Sequence, residues 1–399
     1  MGEKPPSGAG RLPGLGLLLA IAYLGFISLG LPDPVAGVAW PSVRDTFSLH
    51  QSDFGLVFIG LGCGYCASGF FGGKLTHALG LGNLLWISSG LVAVAMFGSG
   101  LAPVWPLFVA CAVIWGLGSG GIDAGLNAYV SSHFSARHVN WLHACYSLGA
   151  TLGPLVMTAV LVWAGAWRLG YHVVGGALLV MTVLFLVTRR RWSEPAGPAG
   201  GESVPPVGLR AALREPLVWL QVGLFFVYVG LEFTVGQWCY TLLTESRGVR
   251  ADVAGALAGG YYGAIGVGRV LSGAIAPRVG LDRLVRVSLL VVLGGTVLLA
   301  FGAPVEVGCV GLAVAGLGLA PVFPCLMART PQRLGVGTAA HAVGFQVSAG
   351  MLGAALVPGL AGLLAESLGL ELVAQFAVLL AVLLLATHEI LLAAARGRP

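Results

Sequence analysis

Residues 115–130 read WGLGSGGIDAGLNAYV; a polar turn follows, SSHFSARHVN (131–140), and the chain resumes as WLHACYSLGATLGPLV (141–156). These are two apolar helices joined by a loop that carries Arg137, and an acid, Asp123, stands in the middle of the first. A carboxylate at the centre of a bilayer costs several kcal/mol unless it is paired, hydrated or protonated, so a functional role is the first expectation. Asn127 lies four residues on and points the same way on a helix. Gly116, Gly118, Gly120, Gly121 and Gly125 let neighbouring helices approach closely. Asn140 and His143 open the second helix.

The surrounding chain explains why that acid is costly. Of 399 residues, 57% are hydrophobic and 9% charged, and the mean hydropathy is +0.90. A soluble domain carries about a quarter charged residues. The chain is therefore an all-α membrane protein. Its net charge of +5 comes from arginines in particular loops, which fits an anionic membrane face and not nucleic acid. Seven cysteines fall within apolar runs; Cys63 and Cys66 have redox-motif spacing but read as small residues of a membrane helix. The apolar run at 12–31 is longer than a signal-peptide core and reads as an uncleaved first span.

A span needs about 20 apolar residues, and twelve can be placed. Six lie near 13–35, 53–76, 82–102, 105–131, 139–163 and 169–188. A basic, Pro/Gly-rich linker occupies 189–215. Six more spans lie near 216–243, 252–276, 284–302, 305–328, 336–365 and 370–394. The expected organisation is a six-helix bundle over 1–188, a cytoplasmic linker, and a second bundle over 216–399.

Orientation follows from Lys and Arg. One side holds Lys4, Arg11, Lys74, Arg137, Arg189, Arg190, Arg191, Arg210, Arg214, Arg278, Arg283, Arg286, Arg329, Arg333, Arg396 and Arg398. The other holds Arg44, Arg168, Arg247 and Arg250, and Arg269 alone falls inside a span. This bias places both termini and the linker in the cytoplasm, at the cytoplasmic (inner) membrane.

The halves repeat. Gly73–Gly80 after span 2 matches Gly273–Gly280 after span 8 at an offset of 200 residues. Gly116 and Gly118 answer Gly316 and Gly318 at the same offset, and Gly149 to Gly153 has its counterpart near Gly350 to Gly353. Two related six-helix halves with a site between them resemble the major facilitator transporters, twelve helices in two pseudo-symmetric bundles. The loop at Gly73–Gly80 is similar to their signature G-x-L-x-D-R-x-G, with His77 and Ala78 in place of Asp and Arg.

A narrower resemblance is to the fucose permease family of sugar–proton symporters. It is carried by Asp33-Pro34 in span 1, Asp123-x-x-x-Asn127 in span 4 and Asn140-x-x-His143 entering span 5. Glu232 with Trp238 in span 7 and Gly268-Arg269 in span 8 are also similar. The resemblance implies that Asp33 carries or relays the coupling proton and that Asp123 shares it or binds sugar hydroxyls. Asn127 and His143 would line the sugar site. The family has an acid at the Asp123 position and Gln or His at the His143 position; fucose permease itself has Glu and Gln there, so the resemblance extends to the transport class and not to fucose.

A proton-coupled carrier needs an acid whose affinity for protons changes with hydration and nearby charge. Asp33, between two prolines that interrupt the helix, suits the role; otherwise it lies in solvated headgroups at the outer end of span 1. Asp123 is alternatively a structural hydrogen bonder, and His143 a packed core histidine. Sugar sites pair planar polar groups with aromatic faces. Glu232 and Gln237 with Trp238, Tyr228, Tyr261 and Tyr262 could supply both. Arg269 stands to pair with a pathway acid or to lock the inner gate. Pro321, Phe323 and Pro324 interrupt span 10, as a bending helix requires.

There is no Walker A sequence and no metal-spaced cluster, so neither an enzyme nor a cofactor is expected. The expected partners are a small solute, protons and lipid, with a monomeric chain. The leading reading is a secondary transporter moving a small polar solute, a monosaccharide first, with protons. One alternative is a proton antiporter exporting drugs or sugars, since Gly149–Pro154 is similar to an exporter signature; another is a non-transporting membrane sensor.

Overall fold

In hydrocarbon no water can satisfy a backbone amide, so a chain of this composition must close its hydrogen bonds within each segment. The computed structural model describes residues 15–192, 209–301 and 304–396, and every regular element among them is helical. The first bundle comprises α1 (Leu15–Phe47), α2 (Gln51–Leu79), α3 (Leu81–Leu101), α4 (Trp105–His133), α5 (Arg137–Ala164) and α6 (Trp167–Arg191). The second comprises α7 (Pro216–Ser246), α8 (Ala251–Val279), α9 (Leu281–Phe301), α10 (Val305–Leu334), α11 (Gly337–Leu368) and α12 (Glu371–Arg396). Eleven of these are long and apolar enough to cross a membrane; α8, with 29 residues, is the more polar twelfth. Lys4, Arg11 and Arg398 of the charge argument, and residues 193–208 of the expected linker, lie outside the described residues.

One boundary differs instructively. Span 1, expected to end at 35, runs to Phe47. Pro32 and Pro34 lack the amide hydrogens that would bond to the carbonyls of Ser28 and Gly30, so the helix opens into a turn at 31–34. Val35 N–H donates to the Pro32 carbonyl (3.1 Å) and the helix resumes over Val35–Phe47. Asp33 therefore sits mid-span, not at the membrane surface. The matching interruption in α10 falls between Val305–Leu319 and Val322–Leu334, beside Pro321, as expected.

The internal repeat is physical. A Cβ on Gly118 would strike Ser88 O and the Val92 side chain of α3; one on Gly318 would strike Ser288 O and Val292 of α9. The same offset of 200 residues thus relates both the glycine and the backbone it touches. Gly80 and Gly280 end the equivalent loops with φ of 76° and 82°, where a side chain would be strained.

Within the first bundle α2 packs on α4, α3 on α4 and α6, and α1 on α5; in the second α7 packs on α11 and α12, and α10 on α8 and α9. The bundles meet along α2 with α11, α5 with α8, and the second half of α1 with α7. Twelve passages put Leu15, Arg191, Pro216 and Arg396 on one face, here the terminal face. At the opposite face, Arg44 donates to both Glu245 carboxylate oxygens (2.9 and 3.0 Å) and Gln51 Nε2 donates to the same group (3.2 Å). Ser52 N–H donates to Glu366 (3.1 Å), which His50 Nδ1 also approaches at 3.1 Å. All of these cross between bundles. At the terminal face the ion pairs of Asp282 with Arg329 and Arg333, and of Arg286 with Glu389, join helices of a single bundle.

Candidate functional site

Three acids in the apolar interior face one space. A cavity of about 180 Å³ lies between the bundles, and Asp33 of α1, Asp123 of α4 and Glu232 of α7 all line it. Each accepts a tyrosine hydroxyl. Tyr146 donates to Asp33 Oδ2 at 2.6 Å, Tyr65 to Asp123 Oδ2 at 2.5 Å, and Tyr228 to Glu232 Oε2. A buried carboxyl left without donors would be costly, and one phenol for each acid meets part of that need, leaving the second oxygen of Asp33 and Glu232 for a proton or a ligand. Asn127 lies one turn behind Asp123 and donates to its Oδ1 (2.8 Å); it orients the acid and does not reach the cavity wall.

Phe26, Phe58, Phe233 and Phe323 supply much of the remaining wall. His143 stands edge-on to Phe26, with ring centroids 5.6 Å apart. A second space of about 650 Å³ reaches towards the terminal face between α5, α8 and α10, past Arg137, Asn140 and Pro277. His143, Arg269 and Phe323 line both spaces and so form the partition between them. Arg269 belongs to α8 yet its Nη1 donates across to Ser147 Oγ (2.8 Å) and the His143 carbonyl (3.3 Å) of α5. Its Nη2 stands 3.9 Å from Glu232 Oε1, too far for a hydrogen bond.

The structure does not bring every expected residue to this wall. Gln237 is buried (1% exposed) and its Nε2 donates to the Asp33 backbone carbonyl (2.8 Å), so it meets the α1 turn from the side away from the cavity. Trp238 is fully buried and donates to the Pro358 carbonyl of α11 (3.0 Å); no ring face is open for stacking. Tyr261 is likewise enclosed, its hydroxyl donating to the Glu232 carbonyl (3.0 Å). The rotational phase of α7 explains the first two. At about 100° per residue, Tyr228 shares the face of Glu232, whereas Trp238 is turned by about 240°.

Tyr65, Tyr146 and Ser147 were not anticipated. Tyr146 lies three residues after His143, and that spacing could have flagged it; nothing in the sequence around Tyr65 distinguishes it. Among the described residues no group of three His, Cys, Asp or Glu side chains is arranged to hold a metal ion.

A family profile described as Major Facilitator Superfamily matches residues 15–242 and 239–398. The chain belongs to the Major Facilitator Superfamily. It is accordingly a multi-pass membrane transporter. Among its relatives, the 3-(3-hydroxy-phenyl)propionate transporter of Escherichia coli K12 is 28% identical over 90% of this chain and 89% of its own length. The human sodium-dependent glucose transporter 1 is 22% identical over 62% of this chain and 54% of its own. Among solved structures, a bacterial homolog of the human lysosomal transporter Spinster, inward-facing and unoccupied, superposes with a TM-score of 0.75 at 15% identity, covering 97% and 98% of the two chains. That likeness concerns the fold.

Proposed function

We propose that this chain is a secondary active transporter that moves a small polar solute, a monosaccharide first, together with protons by alternating access. Asp33 and Asp123 carry the protons. The solute sits in the central cavity against Glu232, His143 and Arg269, with no bond of the solute made or broken. Gln237, Trp238 and Tyr261 act behind the wall, and Asn127 through Asp123.

The observation that carries this reading is that the interior acids face one cavity at the seam of the bundles. A carboxyl there costs free energy whenever it is ionised and dry, so its charge must follow the hydration of the cavity. That is the requirement for coupling. With the arginine-rich terminal face in the cytoplasm, the state described is open inward and closed outward, in the cytoplasmic membrane. The chain is expected to act as a monomer.

The experiment is uptake by intact cells expressing the protein. Solute-dependent alkalinisation of the medium, abolished by Asp33→Asn, is the expected result. Solute uptake that follows a sodium gradient, as the name of the human relative suggests for that protein, would sink the proton reading. The export reading rested on Gly149–Pro154. Gly149 and Gly153 lie against the carbonyls of Ile27 and Leu31 of α1, so packing alone accounts for both glycines.

A further inference from the structure

Most arginines that pair with acids here do so with both arms of the fork. Arg247 donates to Glu371 at 3.0 and 2.7 Å, Arg286 to Glu389 at 2.6 Å twice, and Arg44 to Glu245 as described. Arg333 reaches Asp282 through one nitrogen, and Arg269, the one on the central cavity wall, makes no hydrogen bond to an acid. One nitrogen is anchored on α5; the other stands within ion-pair reach of Glu232 at 3.9 Å, beyond hydrogen-bond distance, and also faces the Tyr228 hydroxyl that Glu232 accepts.

We infer that Arg269 is the recognition point for a solute carboxylate, so that the transported molecule is a small organic monocarboxylate of about monosaccharide size. The inference rests on the proton-coupling reading above and sharpens its substrate class. When Asp33, Asp123 and Glu232 carry protons, Arg269 is the single charge left in a space otherwise lined by neutral polar and aromatic groups. A lone cation in such surroundings is complemented by one anion, and a guanidinium fork matches a carboxylate in two parallel hydrogen bonds. The cavity volume of about 180 Å³ limits the solute to a single ring or short chain.

The same charge balance supplies the coupling. If all three acids are ionised, a solute carboxylate adds a fourth negative charge opposite one arginine in a space of low polarity, and binding is lost. If they are protonated, protein and solute together are neutral. An anion of this kind enters only with protons and leaves when the acids release them. A cationic solute would instead have to lie beside Arg269, with one oxygen of every acid already taken by a phenol.

The test is thermal shift of the purified full chain at about pH 5.5 and about pH 8, with matched pairs of probes: D-glucuronate against D-glucose, and 3-phenylpropionate against 3-phenylpropan-1-ol. The expected result is that an acid stabilises the chain at the lower pH and its neutral counterpart does so at least about tenfold more weakly. The acid's effect should vanish at the higher pH, and in Arg269→Gln at either pH. If Arg269→Gln does not fold, Arg269→Lys is the substitute, expected to weaken acid binding by about tenfold because a point charge replaces the fork. Glu232→Gln, which removes one competing charge, should retain more acid binding at the higher pH than the unaltered chain. Failure of every acid to bind at either pH overturns the inference. So does neutral sugar binding that survives Arg269→Gln, though that outcome leaves proton-coupled sugar transport standing. Acid binding that requires Arg269 but ignores pH removes the proton link instead.

Discussion

The two helices broken at mid-span, α1 and α10, carry similar proline interruptions and are held in opposite ways. Beyond its turn, the second half of α1 (Val35–Phe47) leans across to α7. Gln237 grips the Asp33 carbonyl that the break leaves free, and Arg44 pairs with Glu245 at the rim. The second half of α10 (Val322–Leu334) stays with its own bundle. Thr330 donates to Gln221 Oε1 (2.9 Å), Gln346 Nε2 donates to the same oxygen (2.7 Å), and Asp282 holds Arg333 at 2.8 Å. One break therefore lies beside a closed face and the other beside an open one. Under the alternating access proposed above, these roles exchange, with α1 letting go of α7 while the terminal ends of the bundles approach.

The largest expected effect comes from removing the acid inside the α1 break. Asp33→Asn keeps the shape and the Tyr146 contact but cannot ionise, and solute-driven proton uptake by proteoliposomes should fall at least about a hundredfold. A variant with uptake intact would detach the α1 break from coupling. Next is Gly37→Val. A Cβ there meets Gln237 Oε1 at 2.8 Å and Gln237 Cα at 2.9 Å, so the closed face should be wedged apart. Labelling of a cysteine at Asp45 by an impermeant thiol reagent should not change, whereas labelling of one at Tyr146 from the far side should rise several-fold.

Thr330→Val tests the other helix. It strips a buried hydroxyl from a network in which Gln221 Nε2 already has no partner among the described residues. The expected cost is about 1–3 kcal/mol of stability, read as a lower melting temperature in detergent. Arg44→Ala is the mildest. A partly exposed rim ion pair contributes on the order of 1 kcal/mol or less, so the inward-open fraction should fall no more than about fivefold, as measured by the same labelling.

Much of this could be read from the sequence because lipid is a demanding solvent. Twelve runs of sufficient length and an arginine bias define the passages, and Asp33, Asp123 and Glu232 stand out because a charge in an apolar run is costly. The end of α1 is not legible because a Pro-Asp-Pro turn looks the same whether a helix stops or resumes. Trp238 and Tyr261 were drawn to the site because an aromatic near an acid suggests stacking, yet helical phase turns Trp238 into the core. Tyr65 and Tyr146 escaped notice because a tyrosine in an apolar helix costs little and so asks for no explanation. Arg269 was legible as a lone charge. That it stands 3.9 Å from Glu232 without a hydrogen bond was not, because that distance depends on how α7 and α8 sit against α5.

The central claim is reciprocal opening of two faces around one set of acids. It is tested most directly by spin-label distances in nanodiscs for two cysteine pairs, Arg137 with Arg278 on the terminal face and Asp45 with Arg250 on the other, across a change of pH and on adding a transported solute. The account expects one distance to lengthen as the other shortens. Distances that stay fixed, or that lengthen and shorten together, would contradict it.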